Sequence, residues 1–193
     1  MEPIVLKVVY GVFMVIYSII RRPHERLNKE NKIIDDQKST QEKLLLFLVF
    51  IGMMMLPLIY VFTNVLSFAN YHLPIWLHIS GIVTMSVSVW LFYRSHKDLG
   101  RNWSVSLEIR EEHSLVSSGV YGRIRHPMYT AIWLWVIGQA LLLNNYVAGL
   151  SGLVFFGLLY FLRVGQEEKM MESTFGETYR AYKLRTGRVL PKF

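Results

Sequence analysis

The residues best placed for chemistry fall into two clusters, His96 to Tyr129 and Arg163 to Lys192, separated by an apolar stretch. The first ends in Arg125-His126-Pro127-Met128-Tyr129. Proline favours the first position of a helix and pushes the residue before it into an extended conformation, so His126 is expected at a helix entrance. The amides of a first helical turn lack intrahelical partners and carry the positive end of the dipole, which suits a carboxylate or a phosphate. In the second cluster Phe156, Tyr160, Arg163 and Glu167 follow one another at spacings of four, three and four, which places them on one face of a continuous helix. An arginine at the lower edge of an apolar span marks a site more often than an ornament, and one turn on Glu167 offers an anion to a cationic ligand. Glu168 points about 100° away on such a helix and is expected to face solvent, as is Glu172.

Positioning these groups is a task for membrane helices. Of the 193 residues 52% are hydrophobic and only 18% charged, against about 25% charged in an ordinary soluble chain. Five runs are apolar: residues 4–20, 44–66, 75–93, 128–143 and 146–162. About 20 helical residues cross a hydrocarbon layer about 30 Å thick, so the second and third satisfy the requirement alone and the others need flanking residues or a thinned bilayer. Asn144-Asn145 reads as the tight turn of a helical hairpin. The first run is expected to be retained, because its arginines follow the apolar stretch and no small-residue cleavage site appears. Twenty of the 21 Lys and Arg lie in the segments 21–43, 94–125 and 163–193, with Lys7 the exception. The positive-inside rule then gives an all-α integral membrane fold of five transmembrane helices, N-terminus outside and C-terminus cytoplasmic, forming one membrane domain over residues 1–193. This topology explains the net charge of +7 without a nucleic-acid partner, with membrane lipids as the further contact.

Other features are assigned to structure. Ser80, Thr84 and Ser88, and Ala148 with Gly152, have the spacing of close helix packing, and Gln139 and Asn64 are expected to bond neighbouring helices. The mixed-charge segment from Arg22 to Glu42 reads as a solvated loop or surface helix without chemistry. Gly119 suits a turn, and Gly176 suits a helix stop before an amphipathic helix from Glu177 to Arg185, an interfacial lid carrying Tyr179, Tyr182 and Lys183. The chain has no cysteine, and His96, Asp98 and His113 lack the spacing of zinc ligands, so no metal is expected. Neither GxGxxG nor GxxxxGK[ST] occurs, so a nucleoside cofactor would need another kind of pocket.

From His96 to Pro191 the chain resembles the isoprenylcysteine carboxyl methyltransferase family of integral membrane enzymes, and especially its short prokaryotic members with five spans. The likeness rests on His113-Ser114-Leu115-Val116, Ser118-Gly-Val-Tyr121, Arg125-His126-Pro127-Met128-Tyr129, Glu167-Glu168, Phe175-Gly176 with Tyr179 and Tyr182, and Thr186-Gly-Arg-Val-Leu-Pro191. The resemblance implies methyl transfer from S-adenosyl-L-methionine to the carboxylate of a lipophilic, isoprenylcysteine-like acceptor at the cytoplasmic face of a prokaryotic cell membrane. It also implies that His113, Ser114, Leu115, Val116 and Tyr121 line the cofactor pocket, that His126, Pro127, Met128, Tyr129 and Glu167 hold its amino-acid end, and that Arg163 handles the acceptor carboxylate. Where eukaryotic members carry a glutamine before the His-x-Leu-Val motif, this chain has Ser106, with Glu108 nearby. A phospholipid or amine methyltransferase, a NADPH-dependent membrane reductase and a small transporter remain as alternatives.

Overall fold

The structure, a computed structural model, describes residues 3–30, 33–36, 40–100, 108–110 and 114–192; of residues 25–30, 33–36 and 108–110 only the backbone is described. In chain order the elements are α1 (Pro3–Glu30), β1 (Ile33–Asp36), α2 (Thr40–Phe50), a π-helical turn (Ile51–Met55), α3 (Leu56–Phe62), α4 (Ile75–Leu99), β2 (Glu108–Arg110), α5 (Pro127–Leu143) and α6 (Tyr146–Arg185). Short 3₁₀ turns at Ser67–Ala69 and Gly119–Gly122 join them. Among the described residues four helices are long and apolar enough to cross a membrane, over Pro3–His24, Thr40–Phe62, Ile75–Leu99 and Tyr146–Arg185. The fourth expected span is the shorter helix α5, 17 residues, which rises only about 25 Å.

The second span ends at Phe62 rather than residue 66, since Thr63 turns extended; Asn64 therefore lies beyond the helix, exposed, and not inside the bundle as its position in an apolar run suggested. The fold is also not purely helical. β1 and β2 pair antiparallel, Ile33 opposite Arg110 and Asp36 opposite Glu108, which brings two of the basic connections to the same end of the bundle. At the opposite end Tyr71 N–H bonds the Asn144 carbonyl at 2.9 Å.

The hairpin between α5 and α6 is built as the two asparagines suggest. Asn144 adopts the left-handed conformation (φ 47°, ψ 37°), and Asn145 caps α6 by accepting from Val147 N and Ala148 N at 3.0 and 2.9 Å. Burial of Asn145 is compensated because its amide donates to the Leu66 carbonyl at 2.6 Å and to Asn70 Oδ1 at 2.8 Å.

Pro57 organises the middle of the second span. It has no N–H, so the carbonyl four residues earlier, Met53, loses its helical donor, and the preceding turn widens into π geometry. Side chains from three other helices satisfy the disturbed backbone. Tyr10 Oη donates to the Met53 carbonyl at 3.3 Å, while Gln139 Nε2 and Ser151 Oγ donate to the Gly52 carbonyl at 2.9 and 2.8 Å. Gln139 bonds the Ala148 carbonyl as well, at 2.7 Å, and accepts from Tyr10 at 3.1 Å. Its expected role as helix glue is thus fulfilled, since it joins α1, the second span and α6.

Small residues permit the close approach: a Cβ at Gly138 would lie 2.3 Å from Met85 Cγ, and one at Gly152 2.9 Å from Val136 Cγ1. Ser88 donates across to the Ala131 carbonyl at 2.6 Å, whereas Ser80 and Thr84 bond their own helix. Replacing Gln139 by leucine strands several buried polar groups and is expected to destabilise the fold by about 2 kcal/mol, summing intramembrane bonds worth well over half a kcal/mol each. Thermal unfolding in detergent reads this as a lowered midpoint.

Candidate active site

The C-terminal half of α6 carries the polar face. The part of α6 before Gly176 is about 45 Å long, well over the hydrocarbon thickness of about 30 Å, so it runs past the span. It breaks at Gly176 (φ 54°, ψ −129°), where the sequence places a stop, and the last two turns fold back toward the entrance of α5. These turns are not a lid on the surface: Tyr179 and Tyr182 are buried, and Tyr182 Oη donates to the Tyr121 carbonyl at 2.6 Å.

His126 stands at the entrance of α5, as Pro127 requires, and is 7% exposed. Its Nδ1 lies 3.6 Å from Glu167 Oε1 and its Nε2 3.4 Å from Glu168 Oε1. The two glutamates are consecutive on α6, so their side chains diverge and the imidazole fits between them. Burial lowers the pKa of His126, but hydrogen bonding and charge from Glu167 and then Glu168 outweigh it and hold the group above the ordinary histidine value. Tyr129, one turn into α5, stacks on His126 with ring centroids 5.4 Å apart and donates to Glu167 Oε2 at 2.5 Å. Arg163 is buried on the same face of α6, with Nε 3.9 Å from Glu167 Oε2.

Two glutamates depart from the expectations. Glu168, expected in solvent, is 4% exposed because it binds the chain around the corner: Arg125 Nε at 3.1 Å, and Arg188 through Nε at 3.2 Å and Nη2 at 2.6 Å. The C-terminal tail is thereby strapped across the start of α5. Arg125 N and His126 N donate to the Gly187 and Arg188 carbonyls at 2.8 and 2.9 Å, and Thr130 Oγ1 donates to the Val189 carbonyl at 2.6 Å. Glu42, from the segment read as having no chemistry, is 5% exposed and faces Arg163, Oε1 to Nη1 at 3.5 Å. Its burial follows from its place in the first turn of α2, a helix packed on α6.

Of these groups Arg125, His126, Tyr129, Arg163 and Glu167, with Tyr179 and Tyr182, line one cavity of about 730 Å³, and Glu42, Glu168 and Arg188 stand behind it. Ser114, Leu115, Val116, Tyr121, His126, Met128, Tyr129, Arg163 and Glu167 all reach it; Pro127 is buried and starts α5 beside it, and His113 and Ser106 lie outside the described residues. The loop bearing Tyr121 is pinned by Asp98, whose Oδ2 accepts from Val120 N at 2.9 Å. Gly119 there has φ 59°, and any Cβ would fall 2.1 Å from that carboxylate. No group of metal-ligating side chains occurs among the described residues. The sequence did not place α1 and α2 at the site, yet Met14 and Tyr17 with Leu46, Val49, Phe50 and Met53 wall a second, apolar limb of the same cavity. An apolar wall inside an apolar span leaves no distinct signal in composition.

The cavity is thus lined by charged and by apolar side chains together. Residues 81–173 match the model of the isoprenylcysteine carboxyl methyltransferase (ICMT) family. Curated relatives include the protein-S-isoprenylcysteine O-methyltransferases of Schizosaccharomyces pombe, 30% identical over 87 residues covering 45% of this chain and 37% of the relative, and of Homo sapiens, 32% identical over 118 residues covering 60% and 42%. Protein-S-isoprenylcysteine O-methyltransferase A of Arabidopsis thaliana is 26% identical over 131 residues covering 67% and 66%. The chain thus spans less than half the length of the first two. The solved structure of a eukaryotic intramembrane Ras methyltransferase ICMT superimposes with a TM-score of 0.52 at 24% identity, covering 82% of this chain and 54% of that one, and so shows the fold.

Two outcomes follow from this geometry. Because the pKa of His126 is raised, its ion pairs stabilise fully below the ordinary value of about 6.5 and are lost as pH rises through the raised value. The unfolding midpoint is therefore expected to fall across that range, and His126→Gln to remove the step. Glu168→Gln leaves Arg125 and His126 buried without their shared anion and is expected to cost about 3 kcal/mol, read by the same unfolding scans.

Proposed function

We propose that this protein is a membrane methyltransferase that uses S-adenosyl-L-methionine and methylates the carboxylate of a lipophilic, isoprenylcysteine-like acceptor. The observation that carries this reading is a single cavity in which His126, Glu167 and Arg163 adjoin a Met- and aromatic-lined limb. α5 completes a five-span bundle, with the site at the cytoplasmic face where the basic segments gather.

The residues present suit the cofactor. Its amino-acid end carries a carboxylate and an ammonium. The imidazole and free amides at the start of α5 suit the first and the Glu167 carboxylate the second, while Ser114, Leu115, Val116 and Tyr121 offer a wall to the nucleoside. When bound, the cofactor would supply a sulfonium methyl group for transfer to an acceptor oxygen, the carbon–sulfur electron pair staying on sulfur.

This chain's own residues supply geometry and charge. Arg163 orients the acceptor carboxylate, and its planar fork is steadied by Glu42 on one side and Glu167 on the other. The acceptor is already an anion at neutral pH, so no general base is needed. Arginines outnumber carboxylates around the cavity, which favours an anionic acceptor over an ammonium. The apolar limb takes the lipid tail and keeps the reacting pair out of water, where alignment alone contributes about 7 to 11 kcal/mol.

Glu167→Ala is expected to weaken S-adenosylhomocysteine binding at least tenfold by calorimetry, whereas Arg163→Ala keeps that affinity and loses single-turnover methylation. Offering a farnesylcysteine analogue and phosphatidylethanolamine in turn with a labelled methyl donor tests the acceptor. Label in the first is expected; label in phosphatidylethanolamine alone overturns the carboxylate assignment.

A further inference from the structure

On α1 the residues Met14, Tyr17, Ser18, Arg21 and Arg22 all line the cavity, at spacings of three, one, three and one that make a single helical face. The face is apolar where it enters the lipid limb and turns cationic one turn later. The positive-inside rule accounts for arginines at this end of the helix but not for their facing inward. Arg21 is half-buried and Arg22 exposed, and both line the cavity together with the uncharged Leu46, Val49 and Phe50 of α2. Arg21 lies beside Tyr17, whose ring stacks on Phe92 at 3.8 Å and leans on Trp135 at 4.8 Å, so the residue next to the guanidinium is held in an aromatic cluster. Glu167 is the one carboxylate among the described lining residues, and it sits with His126 and Arg163.

We propose that Arg21 and Arg22 form a second anion-recognition subsite, which selects acceptors bearing an acidic group beside the lipid tail and disfavours those bearing a basic one. This rests on the reading that Arg163 takes the reacting carboxylate. The two arginines then act on the part of the acceptor that does not react and set which amphiphiles enter.

The test uses the full chain in lipid nanodiscs, saturated with S-adenosylhomocysteine, and three probes titrated by calorimetry: N-acetyl-farnesylcysteine, and the same compound with aspartate or lysine inserted before the cysteine. The aspartate probe is expected to bind about tenfold tighter than the lysine probe at low salt, with the gap narrowing as salt rises. Arg21→Gln with Arg22→Gln shrinks the gap below about twofold, Arg21→Lys with Arg22→Lys keeps most of it, and Arg163→Gln weakens all three probes while preserving it. Equal affinities in the unaltered protein, no binding of any probe, or a gap that survives the paired glutamine substitutions overturns the proposal. So does a loss of S-adenosylhomocysteine affinity in that variant, which would put the arginines in the cofactor limb. The salt dependence in the unaltered protein decides the matter if the variant fails to fold. A labelled-donor assay on the same probes separates the two readings: an aspartate–lysine gap without methylation of any probe counts against methyl transfer to the carboxylate alone.

Discussion

An imidazole held between two consecutive glutamates is the constraint on which the site depends. His126 is fixed by the turn that starts α5, and Glu167 and Glu168 by their places on α6, so the contact sets the two helices in register at the end where α5 begins. At the other end the register is set by Asn145, which caps α6 and reaches back to Leu66 and Asn70. Between them, Gln139 and the glycines let α5, α6 and the second span approach closely. Glu168 then serves the fold by gathering Arg125 and Arg188, and Glu167 is left facing the cavity with Tyr129 and Arg163. Adjacent residues of one type thus take different tasks because a helix turns about 100° per residue.

The same economy shapes the second span. Pro57 removes one amide from the helix, and the carbonyls it disturbs become the points where Tyr10, Gln139 and Ser151 attach. In the same turn Met53 and Met54 line the cavity, and flexible thioethers make an adaptable wall. The polar network and the cavity wall therefore share one stretch of the helix, backbone carbonyls bonded on one side and side chains lining the cavity on the other.

Much of this was legible in the sequence where a residue's constraint is local. Pro127 placed His126, Asn144-Asn145 announced the hairpin and Gly176 the break, and the periodicity of Phe156, Tyr160, Arg163 and Glu167 gave the inward face. What escaped depends on distant parts of the chain. Glu168 is buried because two arginines from the corner and the tail converge on it, and Glu42 because the first turn of α2 lands on Arg163; neither carries a local mark of burial. Likewise Tyr17 and Leu46 look like any residues of a membrane span until α1 and α2 are seen to enclose a cavity. The pairing of β1 with β2 joins segments about 75 residues apart, beyond the reach of periodicity.

The most direct measurement is a density map of the protein in lipid with S-adenosylhomocysteine bound. The amino-acid end of that molecule is expected within hydrogen-bond distance, about 3 Å, of His126 and Glu167, with its sulfur turned toward the limb that begins at Arg163. A nucleoside bound elsewhere, or bound here with His126 and Glu167 separated by bulk lipid, would contradict the site described above.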